Sequence, residues 1–158
     1  EIGGWPRDTE RDVDVVIGCW LLTTRTLWQA LGGFDLKYFM YGEDADLCLR
    51  ARAQGAQPRI TPTAQIMHIY GASTTLRADK IAAVAKARAT MIRDHFPGWQ
   101  VPLGLACMWI GAGLRHGASA VGHRLSRRAS WTGRAEIYGD VWRRRADWLA
   151  GYRSEGMR

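Results

Sequence analysis

The 158 residues suffice for one domain or a piece of a larger protein, and with 47% hydrophobic residues the chain can build a core, which excludes intrinsic disorder. The net charge of +7 is uneven: residues 1–114 hold 12 Lys and Arg against 11 Asp and Glu, while residues 115–153 hold nine Arg against three acids. Cys19, Cys48 and Cys107 are scattered among apolar neighbours, which excludes a zinc finger or a disulfide scaffold and fits a reducing compartment.

In chain order, residues 1–12 are polar and read as a loop. The absence of an initiating Met and of a signal-like opening suggests a fragment that lacks an N-terminal portion. Asp14 to Leu22 is rich in β-branched and aromatic residues and predicts a buried strand. Thr23 or Thr24 can cap a short helix that runs to Leu31, and Gly32-Gly33 ends it. The connector Phe34–Gly42 is aromatic, with Phe34, Tyr38, Phe39 and Tyr41. A second helix is predicted from about Glu43 to Gln54, acidic at its start and basic near its end, as the helix dipole favours. Strands follow at Pro58–Thr61 and Ala64–Ile69, with a turn at Pro62, and Gly71-Ala72-Ser73 begins a loop.

Ala78–Phe96 has clear helical periodicity, broken by Pro97-Gly98. The apolar run Val101–Leu114 is shorter than the roughly 20 residues a membrane span requires, and reads as a buried or interfacial helix. Trp131–Tyr152 predicts a last helix with arginines interleaved among aromatic residues. Strands alternating with helices, followed by helices only, indicate an α/β body over residues 1–75 and a helical extension over 76–158.

The chemistry concentrates at Glu43, Asp44 and Asp46, three carboxylates within four residues. One reading is structural: acids complement the electropositive start of a helix, and Asp46 and Arg50 are spaced for an i,i+4 ion pair. The other is functional: an aromatic wall and Gly42 directly before the acids could hold a ring-shaped ligand against a carboxylate acting as general base. His68, at the end of a predicted strand, is a candidate metal ligand or a satisfied strand-end histidine. His95, His116 and His123 lack such a setting, and Asp12 and Asp14 read as loop acids.

Taken together, the order of a strand, a helix and Gly-Gly-Phe-Asp (32–35), then Tyr-Gly-Glu-Asp-Ala-Asp-Leu (41–47), Arg50, Gly55, Pro62, His68, Gly71 and Ser73 resembles family 2 glycosyltransferases, in particular the bacterial rhamnosyltransferase-like branch. The resemblance covers about residues 13–75, and its specificity lies in the whole ordered pattern. It implies the C-terminal, acceptor-side part of a GT-A domain, a Rossmann-like mixed sheet flanked by helices, and an inverting transfer from a nucleotide-sugar to an acceptor hydroxyl in cell-envelope polysaccharide synthesis. By the same resemblance Asp44 matches the catalytic base, Glu43 its partner at the acceptor, and His68 a ligand of the Mg²⁺ or Mn²⁺ at the donor pyrophosphate. Phe34, Asp35 and Tyr41 match the acceptor-side loop, and Trp20 the segment bordering the donor sugar.

The Asp-x-Asp-type motif of the donor-binding half has no match here, so metal ligands and donor contacts are expected partly outside this chain, and the isolated chain is expected not to turn over. A saccharide or lipid-linked acceptor is the expected second substrate. The basic stretch Arg115–Arg153 favours an anionic membrane surface over a solvated helical face, with nucleic acid the least favoured partner. That implies a cytoplasmic protein, peripheral on the inner face of the cell membrane. The competing readings are a non-catalytic binding module of the same fold and a metal-dependent hydrolase, which would need more ligands than the sequence offers.

Overall fold

The structure, a computed structural model, describes residues 4–67, 77–126 and 128–153. The chain divides into two compact units, Glu1–Tyr70 and Gly71–Arg158.

In the first unit a two-residue strand β1 (Arg11–Asp12) pairs antiparallel with β2 (Arg59–Ile60), placing Arg11 opposite Ile60 and Asp12 opposite Arg59. The Arg59 guanidinium bonds the Asp12 carboxylate at 2.7 Å, a cross-strand ion pair on an exposed edge. Val13 extends the pairing by donating its N–H to the Pro58 carbonyl at 2.9 Å.

Helix α1 (Arg25–Leu31) starts where Thr24 Oγ1 accepts the Leu27 N–H at 3.2 Å, so Thr24 is the cap. It ends at Gly32 and Gly33, both left-handed (φ 72° and 76°), whose N–H groups return to the Gln29 and Trp28 carbonyls. Helix α2 (Glu43–Ala53) buries Asp46, Leu47, Cys48 and Ala51, and Tyr38 from the connector joins them in the core.

Two expectations change here. Asp14–Leu22 is not a strand: a 3₁₀ turn occupies Gly18–Trp20, and the flanking residues are extended but unpaired. A strand requires a neighbour for its N–H and C=O groups; this segment finds none among the described residues, and Gly18 instead spends its N–H on a side chain of α2. Residues 64–67 likewise form no strand, while 68 and 69 lie outside the described residues. Helix and strand coexist as expected of an α/β body, but the described residues are predominantly helical and form only this one ribbon, not the Rossmann-like mixed sheet.

The second unit is helical: α3 (Arg77–His95), α4 (Val101–Ser126), α5 (Ala129–Arg143) and α6 (Arg145–Ala150). The helix predicted over 131–152 is thus two, broken at Arg144, whose N–H bonds the Asp140 carbonyl. Ala82, Val141 and Trp148 form the centre, with Ile81, Met108 and Ala112 packed around them. Trp148, 1% exposed, donates its indole N–H to the Val141 carbonyl at 2.8 Å, satisfying its one polar atom.

The glycines of α4 are contact points. A Cβ at Gly113 would lie 3.2 Å from the Trp142 ring, and one at Gly122 would overlap the Trp131 ring. Two tryptophans of α5 therefore press on α4 where it has no side chain. Trp142 is further enclosed by Trp109 and by His116, which stacks on it with ring centres 6.0 Å apart.

Candidate active site

The site is organised around the first turn of α2. Tyr41 has φ 66°, a conformation that costs a non-glycine residue energy, and Gly42 follows at φ 92°. Two successive left-handed residues swing the aromatic connector into the helix and bring Glu43 and Asp44 into its first turn.

Both oxygens of Asp44 accept backbone N–H bonds: Oδ2 from Gly18 at 2.9 Å and Oδ1 from Ala45 at 2.8 Å. Each still has a lone pair available to a further donor. The orientation of the carboxylate is thus set by the Gly18–Trp20 turn, 26 residues upstream. Glu43 differs: its Oε2 is buried and has no hydrogen-bond partner among the described residues. A buried acceptor without a donor is costly, and an incoming hydroxyl is one group that would satisfy it.

Asp46 belongs to the scaffold. It is 2% exposed and accepts from Arg50 Nε at 2.8 Å. Arg50 also donates to the Leu31 carbonyl at 2.8 Å and the Gly33 carbonyl at 2.9 Å. One guanidinium thereby ties α2 to the end of α1 and to the start of the aromatic connector, with its charge compensated by Asp46.

Phe34, Asp35 and Tyr41 all sit in that connector. Phe34 stands edge-on to Trp28 at 5.2 Å, and Trp28 lies across Gly33, where a Cβ would come within 3.0 Å of its ring. Asp35 closes a turn, accepting the Lys37 N–H at 3.0 Å and pairing with its ammonium at 3.0 Å. Burial pushes the Asp35 carboxyl up, but the hydrogen bonds from Lys37 and the charges of Lys37 and Arg50 outweigh it, so the group titrates below the usual carboxylate value.

Trp20 points to a different feature, an apolar cleft of about 530 Å³ that it lines together with Ile17, Leu22, Leu31, Leu47 and Ile66. Glu43 and Asp44 are not in the cleft wall. The fold thus joins the Trp20 segment to the acids through the Gly18–Asp44 bond, while cleft and carboxylates remain separate. Asp12 and Asp14 form ion pairs with Arg59 and Arg52; Asp14 is a loop acid as expected, whereas Arg11 and Asp12, expected in a loop, are in β1 because they pair with β2. His68 lies outside the described residues, and among the described residues no three His, Cys, Asp or Glu side chains gather as a metal site.

Sequence reasoning missed Gly18 as the anchor of Asp44. The available signal was a lone glycine interrupting Val15-Val16-Ile17, which marks a close backbone approach.

The chain is 37% identical over 93 residues to the N-acetylglucosaminyl-diphospho-decaprenol L-rhamnosyltransferase of Mycobacterium tuberculosis (strain ATCC 25618 / H37Rv). The resemblance to a bacterial glycosyltransferase stands. The match takes in 58% of this chain and 30% of the rhamnosyltransferase, so the chain spans less than a third of that relative's length. An O-antigen biosynthesis protein of Myxococcus xanthus is 38% identical over 73 residues, which is 46% of this chain and 6% of that protein. An uncharacterised Mycobacterium bovis protein is 34% identical over 105 residues, or 63% of this chain and 40% of that one. No family model and no solved structure matches the chain. Among the described residues no helix is long and apolar enough to cross a membrane.

Proposed function

We propose that this chain forms the acceptor-side part of an inverting glycosyltransferase of cell-envelope polysaccharide synthesis, with rhamnose the sugar suggested by the rhamnosyltransferase relative. The donor is a nucleotide-sugar and the acceptor a hydroxyl of a lipid-linked saccharide, at the inner face of the cell membrane. The observation that carries the reading is the first turn of α2, where an oriented carboxylate, Asp44, adjoins Glu43, whose buried Oε2 has no hydrogen-bond partner among the described residues.

In this reading the acceptor hydroxyl donates to Asp44, which takes its proton as the acceptor oxygen attacks the anomeric carbon. The new glycosidic bond forms on the face opposite the leaving nucleotide, whose bond to the sugar breaks, and the anomeric centre inverts. Two backbone N–H groups hold the Asp44 carboxylate in one orientation, so little reorganisation is required at the moment of attack. Glu43 Oε2 would accept from a second acceptor hydroxyl and fix its pose. A divalent cation, which would neutralise charge on the leaving diphosphate, would be held by His68 together with groups outside this chain.

The donor-binding half would lie in further sequence, since the chain matches under a third of the rhamnosyltransferase and its Asp12-Val13-Asp14 is tied up in ion pairs with Arg59 and Arg52. In the full natural polypeptide, Asp44→Asn should reduce transfer by about 10²- to 10⁴-fold with donor binding retained. Glu43→Gln should mainly raise the acceptor KM. Unchanged transfer in the Asp44 variant would remove the assignment, and sugar transfer by the 158 residues alone would overturn the half-site reading.

A further inference from the structure

The outward face of α4 is apolar where a helix on a protein surface normally carries charge. Met108, Ala112 and Ser119 face the interior of the unit. About half a turn away, Leu103, Ile110, Leu114, Val121 and Leu125 are each at least half exposed, and Leu125 reaches 82%. Their spacings of seven, four, seven and four residues keep them on one stripe, about 33 Å long at 1.5 Å per residue. Trp99, 73% exposed, sits one turn before the stripe begins.

The formal charges along this stretch of sequence are of one sign. From His95 to Ala135 the sequence contains no Asp or Glu and five Arg. Arg124 is exposed beside the stripe and Arg128 just beyond it, whereas Arg115, also exposed, lines a pocket with Met108 and Ala112 on the other side of the helix. The whole unit, residues 71–158, holds fifteen Lys and Arg against six Asp and Glu, a net of +9, whereas residues 1–70 hold seven against nine.

We infer that α4 is a membrane-docking helix, which lies in the headgroup layer of an anionic bilayer with its leucine–isoleucine–valine stripe embedded and its arginines on lipid phosphates. The helix is not apolar enough to cross a membrane, so it lies along the surface. Charge decides between occupants. A second copy would bring another +9 unit against the same face, and like charges oppose that approach, while anionic lipid attracts each exposed arginine. The inference deepens the proposed function, on which it rests for the usefulness of the surface, since a lipid-linked acceptor is presented there.

The test is flotation of the full 158-residue chain with vesicles of phosphatidylcholine alone or mixed equally with phosphatidylglycerol, without donor or acceptor. Binding should be at least tenfold tighter to the anionic vesicles and should weaken with salt. The double variant Ile110→Asp with Leu114→Asp should lose at least tenfold of it at an unchanged melting temperature. Leu125→Asp, at the most exposed position of the stripe, supplies a second variant should the first fail to fold. No binding to anionic vesicles, or equal binding by both variants, overturns the inference. So does a dimer in sedimentation that the same substitutions dissolve while no vesicles are bound. Vesicle binding is read without catalysis, so its failure and a failure of the transfer reading are distinguishable.

Discussion

Gly18 and Asp44 form the contact on which the candidate site depends: the Gly18 N–H meets Asp44 Oδ2 at 2.9 Å, and a Cβ at Gly18 would lie 3.1 Å from the Asp44 Cβ. The close approach is possible because position 18 has no side chain. Gly18→Val should push the turn off α2, reduce transfer in the full polypeptide at least tenfold, and cost about 1–3 kcal/mol from overpacking. Gly18→Ala should do the same more mildly. Melting curves alongside transfer rates check this, and a Val variant with wild-type activity would show that the bond does not orient the base.

Arg50 should matter for stability. Its removal takes the guanidinium away from the buried Asp46 carboxylate, 2% exposed, and from the Leu31 and Gly33 carbonyls. Arg50→Ala should destabilise the first unit by about 3 kcal/mol, read by urea unfolding. Asp46→Asn with Arg50→Met should recover part of that loss, because the double replacement removes the buried charge together with the guanidinium that paired with it.

The three cysteines should react in a fixed order. Burial raises the Cys48 thiol above its usual value, with a smaller rise from the Asp44 charge, and its S–H faces the Val16 carbonyl oxygen at 3.9 Å. Cys19 and Cys107 are exposed. A thiol reagent at neutral pH should label Cys19 and Cys107 quickly and Cys48 only on unfolding. Rapid Cys48 labelling in the folded protein would contradict the packing of α2.

Asp35 should contribute to the acid limb of stability. Its folded value is depressed below the unfolded 3.8, so its contribution is fully present above that value and is lost as pH falls through the folded one. Asp35→Asn should lower stability near neutral pH and flatten the dependence below about pH 4, checked by denaturant midpoints across that range. An unaltered acid limb would show that the Lys37 contacts do not persist in solution.

The sequence by itself determined the local structure. Thr24, Gly32-Gly33, the acidic start and basic end of α2, and the Pro97-Gly98 break mark helix boundaries through rules that operate within a few residues. The ordered motif from Gly32 to Arg50 pointed to a glycosyltransferase, and Asp46 was legible as a partner of Arg50 because both lie on one helix face. Periodicity could not decide Asp14–Leu22, since β-branched composition favours extension but pairing depends on a neighbouring strand. Nor could it show that Arg50 reaches two carbonyls of the preceding helix and connector, that Gly18 holds Asp44, or that Leu103 to Leu125 stay uncovered while the opposite face of α4 is buried. Each of these depends on which segments meet across long stretches of chain, and that is settled by tertiary packing, because hydrogen-bond partners and covered faces are chosen among distant residues.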